Sequence, residues 1–383
     1  MRKEYKLTLS LCMIVKDEEK TLERCLESIR TFVDEIIIVD TGSQDKTKDI
    51  AKKFNAKIFD FEWVNDFAKA RNFAFSKATK EYILWLDGDD FIDEENIEKI
   101  EKLIKHFNKD IQFVSGLYVL GRDAMGNVSY SLRRNRIVKR ECGFRWIGHV
   151  HEYLEVFGTG IDGDFAIEHG KVKAYSNRNL QIFKEMDKNK EEFTIRDIFY
   201  YGNELYDNGE YEEAIKKYRE FLETKKGWIE DQKVAYYKII NCYRILGERD
   251  MILNVAFESF SIDVPKAEIC CALGEYFIEE SLYNQSAFWY RCALDSRHEK
   301  GNASIDNKEY YTWIPALQLC LCYFNLGKLN CSYFFNELAE SFTGDPEKIR
   351  YNKNYFKEEF KRQGIEAPNL EYPLRISNYI NYL

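Results

Sequence analysis

The chain has 383 residues, a length that two or three domains of ordinary size would fill. Its 65 Asp and Glu residues outnumber its 56 Lys and Arg residues, and the formal net charge of -9 excludes a protein whose main work is to neutralise a nucleic-acid backbone over a broad surface. Hydrophobic residues make up 45% of the chain and aromatic residues 15%, which excludes a largely disordered protein.

The first half of the chain alternates strand and helix patterns. The apolar runs predict strands over residues 7–15, 35–40, 56–61 and 82–86, with a helix ending at residue 29, a helix carrying Ile50, Ala51 and Phe54, and a helix over residues 67–78 between them. Strand, crossover helix and strand in this order predict a mainly parallel α/β sheet whose ligand lies at the carboxyl ends of the strands. Strands return over residues 111–173 with fewer helices, as expected of a mixed, partly antiparallel continuation.

The second half of the chain changes character near Tyr175, where strand patterns fade. We therefore predict two domains, residues 1–175 and residues 176–383. Residues 201–221 match the tetratricopeptide pattern in their small, turn-glycine, aromatic and alanine positions. Weaker copies centre on Tyr243, Gly274 and Cys320.

Repeats of this kind predict three or four stacked helix pairs that share one core and leave a concave face. The scarcity of proline, 5 residues in the whole chain, favours long helices somewhere in it. An ordinary helical domain without true repeats is the alternative. Tyr and Phe at the repeat positions belong mainly to the core, and an exposed subset of them could bind an extended polypeptide.

The ten cysteines are scattered and contain no CxxC pair, so we interpret them as small buried hydrophobic residues. No secretory hydrophobic segment follows Met1, and no apolar run reaches the roughly 18 residues of a membrane span. We expect a protein of the reducing cytoplasm.

Residues 87–90 (DGDD) form the sharpest local motif, because they follow an apolar strand and so lie at the ligand edge of the predicted sheet. Two aspartates one residue apart can share a hard divalent cation with phosphate oxygens. The alternative is a plain Asp-Gly turn. Asp40, at the end of another strand, and Arg71 could reach the same crevice. Alternatively, Asp40 only stabilises a turn, and Arg71 only forms a surface salt bridge.

Four segments resemble, in order and spacing, the family 2 glycosyltransferases of the GT-A fold: residues 9–19, 38–47, 70–72 and 85–90. The resemblance covers about residues 5–175. Residues 144–152 and 168–170, together with the appended repeats, are similar to a narrower group that includes the sublancin-type peptide S-glycosyltransferase.

The resemblance implies a role for each matching position. Val15 and Asp40 would hold the nucleotide base, and Arg71 would lie near the nucleotide. Asp87 would face the ribose or the metal, and Asp89 would be the principal ligand of a Mn²⁺ or Mg²⁺ ion that bridges the diphosphate. Such an ion offsets the charge that grows on the departing diphosphate.

Three of the 5 histidines lie in one window of 21 residues: His149, His151 and His169. The resemblance implies that His169 is a third ligand of the metal, whereas His149 is interpreted as a structural residue. Glu152, preceded by His151, is the candidate general base, because an inverting displacement needs a carboxylate on the face opposite the departing diphosphate. The family's usual base lies in a Glu-Asp or Asp-Asp motif, and residues 151–153 here are HEY.

A basic run, residues 133–136 (RRNR) with Lys139 and Arg140, stands inside this acidic chain. It could contact the diphosphate through one arginine or anchor a loop near the donor. Alternating, solvent-facing charges on a strand are an equally good interpretation.

These observations lead to one expected function and two alternatives. We expect a metal-dependent, inverting glycosyltransferase that moves a sugar from a nucleotide donor, UDP being favoured, to a peptide or protein side chain bound by the helical repeats. The first alternative keeps the donor chemistry but has a glycan, lipid or surface polymer as acceptor, and the second is a non-catalytic nucleotide-sugar-binding scaffold. The sequence leaves the oligomeric state open, a homodimer included.

Overall fold

The computed structural model describes residues 7–122, 126, 128–170, 177–296, 308–342, 345–370 and 372–382. The chain divides into two compact units, Met1–Glu192 and Phe193–Leu383. No helix within the described ranges is both long and apolar enough to cross a membrane.

The first unit combines a mixed sheet with helices. Its described strands are β1 (Leu9–Val15), β2 (Glu35–Asp40), β3 (Lys57–Asp60), β4 (Tyr82–Trp85), β5 (Asp90–Phe91), β6 (Phe113–Arg122), β7 (Val128–Lys139), β8 (Arg145–Ile147), β9 (Tyr153–Glu155) and β10 (Gly160–His169). Its described helices are α1 (Leu22–Ile29), α2 (Thr47–Lys53), α3 (Phe67–Lys77), α4 (Glu94–Lys105) and α5 (Arg178–Lys188).

Eight of these strands form one sheet in the order β3-β2-β1-β4-β7-β6-β10-β5, and β8 and β9 form a separate hairpin. Strands β1 to β4 pair in parallel, whereas β7 runs antiparallel to both β4 and β6. The β-branched run of β2 is a central strand with Ile37, Ile38 and Val39 fully buried. The predicted parallel α/β sheet with a mixed continuation is therefore confirmed. Helix α4 was not assigned from the sequence.

The second unit is helical. It contains α6 (Ile195–Asp207), α7 (Tyr211–Glu223), α8 (Ile229–Leu246), α9 (Arg249–Ser259), α10 (Ala267–Glu279), α11 (Tyr283–Asp295), α12 (Trp313–Asn325), α13 (Leu329–Ser341) and α14 (Pro346–Gln363). Successive helices pack as pairs, α6 with α7, α8 with α9, α10 with α11 and α12 with α13.

The turn inside each pair repeats the same backbone feature. A residue with positive φ follows the first helix in all four pairs: Gly209 (80°), Gly247 (76°), Ser281 (59°) and Gly327 (69°). Glycine adopts this left-handed conformation at little cost, and it ends helices for that reason. The helical-repeat prediction is confirmed.

The boundary predicted at residue 175 lies outside the described residues, and the two units divide between Glu192 and Phe193. Helix α5 remains with the first unit because it contacts the start of α3. The guanidinium of Arg178 lies 4.6 Å from the ring centroid of Phe67, and the Asn65 amide donates to the Glu185 carboxylate at 2.5 Å.

Candidate active site

The carboxyl ends of β1, β2 and β4 lie side by side, since the three strands are parallel neighbours. Val15 and Asp40 are register partners at the ends of β1 and β2. Residues 87–89 follow β4, and Asp90 begins β5. The fold therefore brings three of the predicted segments to one edge of the sheet.

Asp40 is buried and only half satisfied. Its Oδ1 accepts the backbone N–H groups of Gly42 and Ser43, both at 3.0 Å, and lies 3.6 Å from Nζ of Lys48. Its Oδ2 is buried and has no hydrogen-bond partner among the described residues. Oδ1 thus stabilises the turn. A buried carboxylate oxygen without a partner is energetically costly, so Oδ2 is a candidate acceptor for a hydrogen bond from a ligand.

Arg71 of α3 connects two carboxylates. Its Nη2 donates to Asp87 Oδ1 at 2.7 Å, and its Nε donates to Glu152 Oε1 at 2.6 Å. Arg71 is buried, and its guanidinium lies against the rings of Trp85 and Trp146, with its Cζ 5.0 and 4.7 Å from their centroids. The interpretation of Arg71 as a surface salt bridge is therefore wrong.

These contacts set the charge of Asp87. Burial alone raises the pKa of this carboxyl, but the guanidiniums of Arg71 and Arg136 outweigh that effect and lower the pKa to about 2. Asp87 is consequently ionised at neutral pH. The pKa of Arg71 is in turn raised by Asp87 and Glu152 against the opposing effect of burial.

Asp89, Asp90 and His169 form an acidic cluster in which one ligand atom from each lies within 4.8 Å of the others. Nδ1 of His169 lies 3.7 Å from Asp89 Oδ1 and 3.6 Å from Asp90 Oδ1. The pairing of β10 with β5 produces this approach, since His169 is the register partner of Asp90.

Within the cluster, the two carboxylates have different surroundings. Asp90 is fully buried, and its oxygens accept from the Tyr118 hydroxyl at 2.8 Å and from Arg136 Nη1 at 3.0 Å. Asp89 keeps 18% of its side chain exposed. The pKa of Asp89 is raised by burial first and then by the negative charge of Asp87 and Asp90, against the effect of His169.

This donor set fits a divalent cation. Carboxylate oxygens and an imidazole nitrogen are ligands of Mn²⁺, and a cation would relieve the repulsion that raises the pKa of Asp89. Of the three predicted metal ligands, Asp89 and His169 belong to this cluster, and Asp87 does not. The two oxygens of Asp90 already accept hydrogen bonds from Tyr118 and Arg136, so we interpret Asp90 as a supporting residue of the cluster.

Sequence reasoning missed the roles of Asp90, Tyr118 and Arg136. Arg136 belongs to the basic run, but its side chain is fully buried and paired with Asp90. For Arg136 the interpretation as a solvent-facing charge is wrong, whereas Arg133 is exposed. The sequence does show Arg136 directly before the apolar residues 137 and 138 of a strand, but no neighbouring residue identifies Asp90 as its partner.

His149 and His151, the other two histidines of the 21-residue window, lie in the hairpin loop between β8 and β9. Nε2 of His149 is 3.5 Å from Oδ2 of Asp66, the N-cap residue of α3, which agrees with a structural role. His151 is half-buried with a φ of 52°, directly before Glu152. The structure thus brings Glu152 to Arg71 and Asp87, and His169 to Asp89.

Comparison with known proteins identifies the class. Residues 10–154 match the model of the family described as glycosyl transferase family 2. The predicted resemblance to family 2 glycosyltransferases with an appended helical-repeat region is confirmed.

Two relatives show how far the similarity extends. The SPbeta prophage-derived glycosyltransferase SunS of Bacillus subtilis is 25% identical over 287 residues, which are 70% of this chain and 65% of SunS. A TPR repeat-containing protein of Synechococcus elongatus is 50% identical over 82 residues, 21% of this chain and 20% of that protein. The chain thus spans just under two thirds of SunS and a fifth of the second relative.

Solved structures show low similarity. TarS 1-349 of S. aureus, in complex with UDP-GlcNAc, is 14% identical, covers 76% of this chain and 93% of its own and has a TM-score of 0.33. Glucosyl-3-phosphoglycerate synthase from Mycobacterium tuberculosis, in complex with Mn²⁺, UDP-glucose and phosphoglyceric acid, is 21% identical over 29% of this chain and 44% of its own, with a TM-score of 0.26. At these scores neither likeness carries a conclusion about function.

Proposed function

We propose that this chain is a metal-dependent, inverting glycosyltransferase that moves a sugar from a UDP-linked donor to a peptide or protein side chain. The observation that carries the proposal is the bridge made by Arg71, which joins Asp87 at the end of β4 to Glu152 in the hairpin. The bridge supports Glu152 as the base, because it joins this carboxylate to the edge of the sheet that a diphosphate donor would approach. Peptide acceptance is supported by the helical repeats and by the similarity to SunS.

The donor would be held at the ends of β1 and β2. A uracil base carries an imide N–H, and the unpartnered Oδ2 of Asp40 is a buried acceptor for such a donor. Val15 lies beside Asp40, and its carbonyl accepts from Thr41 N–H at 3.0 Å, which fixes the loop that begins at residue 41. We assign Val15 and Asp40 to the base, and Arg71 and Asp87 to the ribose and diphosphate side.

A Mn²⁺ or Mg²⁺ ion held by Asp89 and His169, with Asp87 nearby, would offset charge on the departing diphosphate. The Tyr118 hydroxyl keeps His169 in place, since it contacts both His169 Nδ1 and Asp90 Oδ1 at 2.8 Å. The Arg136–Asp90 pair fixes that hydroxyl from the interior of the sheet.

Glu152 would take the proton of the acceptor. Its Oε1 is bound by Arg71, and its Oε2 has no hydrogen bond among the described residues. A carboxylate oriented in this way can accept a proton from an acceptor hydroxyl or thiol. His151, the preceding residue, is assigned a supporting place in the same loop. We also propose the reducing cytoplasm as the compartment, because all ten cysteines are free thiols.

The test is donor turnover by Asp89→Ala, with Asp164→Ala, an exposed aspartate of β10, as control. Purified protein is incubated with a panel of nucleotide sugars and Mn²⁺, and nucleotide release and the mass of added peptides are measured. We expect Asp89→Ala to lose about 100-fold or more in turnover and the control to keep it. Undiminished metal-dependent turnover in Asp89→Ala would contradict the proposed metal site, and UDP binding that Mn²⁺ does not enhance would favour a scaffold.

A further inference from the structure

The hairpin that carries Glu152 is not part of the main sheet. Strands β8 and β9 pair only with each other among the described strands, with Trp146 opposite Leu154. A two-stranded hairpin is marginally stable by itself. The position of Glu152 therefore depends on what holds the hairpin against the rest of the unit.

Helix α3 holds the hairpin and its loop at three places. The backbone N–H of Phe67 donates to the carbonyl of His149 at 2.9 Å. Arg71 binds the Glu152 carboxylate. Asn72 makes the third contact and uses both ends of its amide.

The Asn72 contact is a complete backbone clamp. Its Nδ2 donates to the carbonyl oxygen of Trp146 at 2.9 Å, and its Oδ1 accepts the N–H of Trp146, also at 2.9 Å. One side chain thus satisfies the two backbone groups that a neighbouring strand would otherwise pair with. No other described residue bonds the backbone of the hairpin in this two-sided way.

Helix α3 is itself a fixed support. Asp66 caps it by accepting the Lys69 N–H at 2.8 Å. Ala68, Ala70 and Ala74 are buried, and Cys12 of β1 contacts the Ala74 carbonyl at 3.5 Å. Because α3 is fixed against the sheet, the Asn72 contact also fixes the hairpin relative to the sheet.

We propose that Asn72 is a positioning residue that sets the distance between Glu152 and the donor carboxylates by locking β8 to α3. The role rests on the proposed function, because it requires Glu152 to act as the base. Asn72 and Arg71 are adjacent, so one residue fixes the hairpin backbone while the next binds the base and Asp87. A displacement of about 1 Å at a reacting group can cost about 100-fold in rate.

The test is a double-mutant cycle with Asn72→Ala and Glu152→Gln in the full chain. The readouts are UDP release from UDP-glucose and from UDP-N-acetylglucosamine, followed under single-turnover conditions, and the affinity for UDP with Mn²⁺ by calorimetry. Ser76→Ala, an exposed residue of α3 that donates to the Phe73 carbonyl, is the matched control. Asn72→Asp is the second variant, since it keeps one acceptor but loses the donor to the Trp146 carbonyl.

A residue that acts through Glu152 gives a distinct pattern. We expect Asn72→Ala to lower the rate about 10- to 100-fold in the wild-type background and less than about threefold in Glu152→Gln, because coupled residues are not additive. UDP affinity should stay within about twofold in every folded variant. Asn72→Asp should follow Asn72→Ala, and Ser76→Ala should match wild type.

Several results would overturn the role of Asn72. They are an equal loss in both backgrounds, a matching loss of UDP affinity, or a rate in either Asn72 variant that equals wild type. Full activity of Glu152→Gln would show that Glu152 is not the base, and the role proposed for Asn72 would then be wrong as well. The proposed glycosyltransferase activity would not be contradicted by that result. Release of UDP by the wild type from neither sugar nucleotide would instead contradict the proposed function, and the role of Asn72 would fall with it.

Discussion

Arg136 is an arginine without solvent contact. Its only described ion pair is with Asp90, which is equally buried, and its Nε and Nη2 have no hydrogen-bond partner in the described part of the chain. The guanidinium lies between aromatic rings, with its Cζ 4.0 Å from the centroid of Trp85 and 4.4 Å from that of Tyr118. The pair therefore depends on mutual neutralisation and ring contacts, because water cannot replace either partner.

Removal of one partner of this pair should be costly. We expect Arg136→Met to lower the free energy of unfolding by about 3–5 kcal/mol, since Asp90 would remain as a buried, unpaired charge. Chemical denaturation of the purified variants measures the change. Arg133→Met on the same strand is the control. Its half-exposed side chain donates to Ser115 and Gly163 and lies 3.6 Å from the exposed Asp162, so its loss should cost less, about 2 kcal/mol or below.

The combined variant Arg136→Met with Asp90→Asn separates pairing from packing. We expect it to be more stable than Arg136→Met alone, because no unpaired charge is left inside. A single variant as stable as Arg133→Met would show that the pair is not a structural element of the site.

Two of the four helix pairs of the second unit, α6 with α7 and α10 with α11, pack through a glycine that faces a tyrosine. A Cβ placed on Gly202 of α6 would lie 2.7 Å from Cε1 of Tyr218 of α7, and a Cβ on Gly274 of α10 would lie 2.6 Å from Cε2 of Tyr290 of α11. The Tyr218 hydroxyl is also fixed by Asn203 at 2.8 Å. A methyl group has no room at these places, so glycine sets how closely the paired helices approach.

Gly202→Ala should therefore destabilise the second unit, although alanine favours helix more than glycine does. Overpacking costs about 1–3 kcal/mol and the propensity gain is about 1 kcal/mol, so we expect a net loss of about 1–2 kcal/mol. Thermal unfolding of the full chain measures it, with Glu212→Ala on the exposed face of α7 as control. An unchanged or raised unfolding temperature in Gly202→Ala would show that Tyr218 shifts freely and that the close approach is not required.

On the scale of the whole molecule, an acidic chain has to accommodate a diphosphate donor if the proposed function is right. Positive charge is placed locally at the edge of the sheet instead. Arg71 pairs with Asp87 and Glu152 there, Arg136 pairs with Asp90, and Lys48 lies near Asp40. Carboxylates still outnumber these cations at the edge, so a divalent cation bound there would supply the further positive charge that a diphosphate needs.

The two units should also differ in function. We expect a chain ending at residue 192 to keep Mn²⁺-dependent UDP binding, because all the proposed donor residues lie in the first unit. The same truncation should reduce transfer to peptide acceptors by about 10-fold or more if the repeats supply acceptor affinity. Calorimetry and peptide mass analysis measure the two effects, and circular dichroism checks folding. Equal peptide transfer by both chains would show that the repeats do not select the acceptor.

The sequence by itself determined the layout of the chain. Its apolar runs predicted the parallel strands and their order along the chain, and residues 87–90 identified the edge where carboxylates gather. The tetratricopeptide pattern at residues 201–221 predicted the helix pairs, since turn glycines and small residues recur locally. These features depend on neighbours within a few residues, which is why pattern alone reveals them.

Only the tertiary structure decided which distant side chains meet. Arg71 and Glu152 are 81 positions apart, and Arg136 and Asp90 are 46 apart. Their contacts depend on β7 entering the sheet antiparallel between β4 and β6 and on a hairpin clamped by Asn72. Strand order and the direction of the returning strands arise from packing of the whole unit, and periodicity along the chain does not encode them.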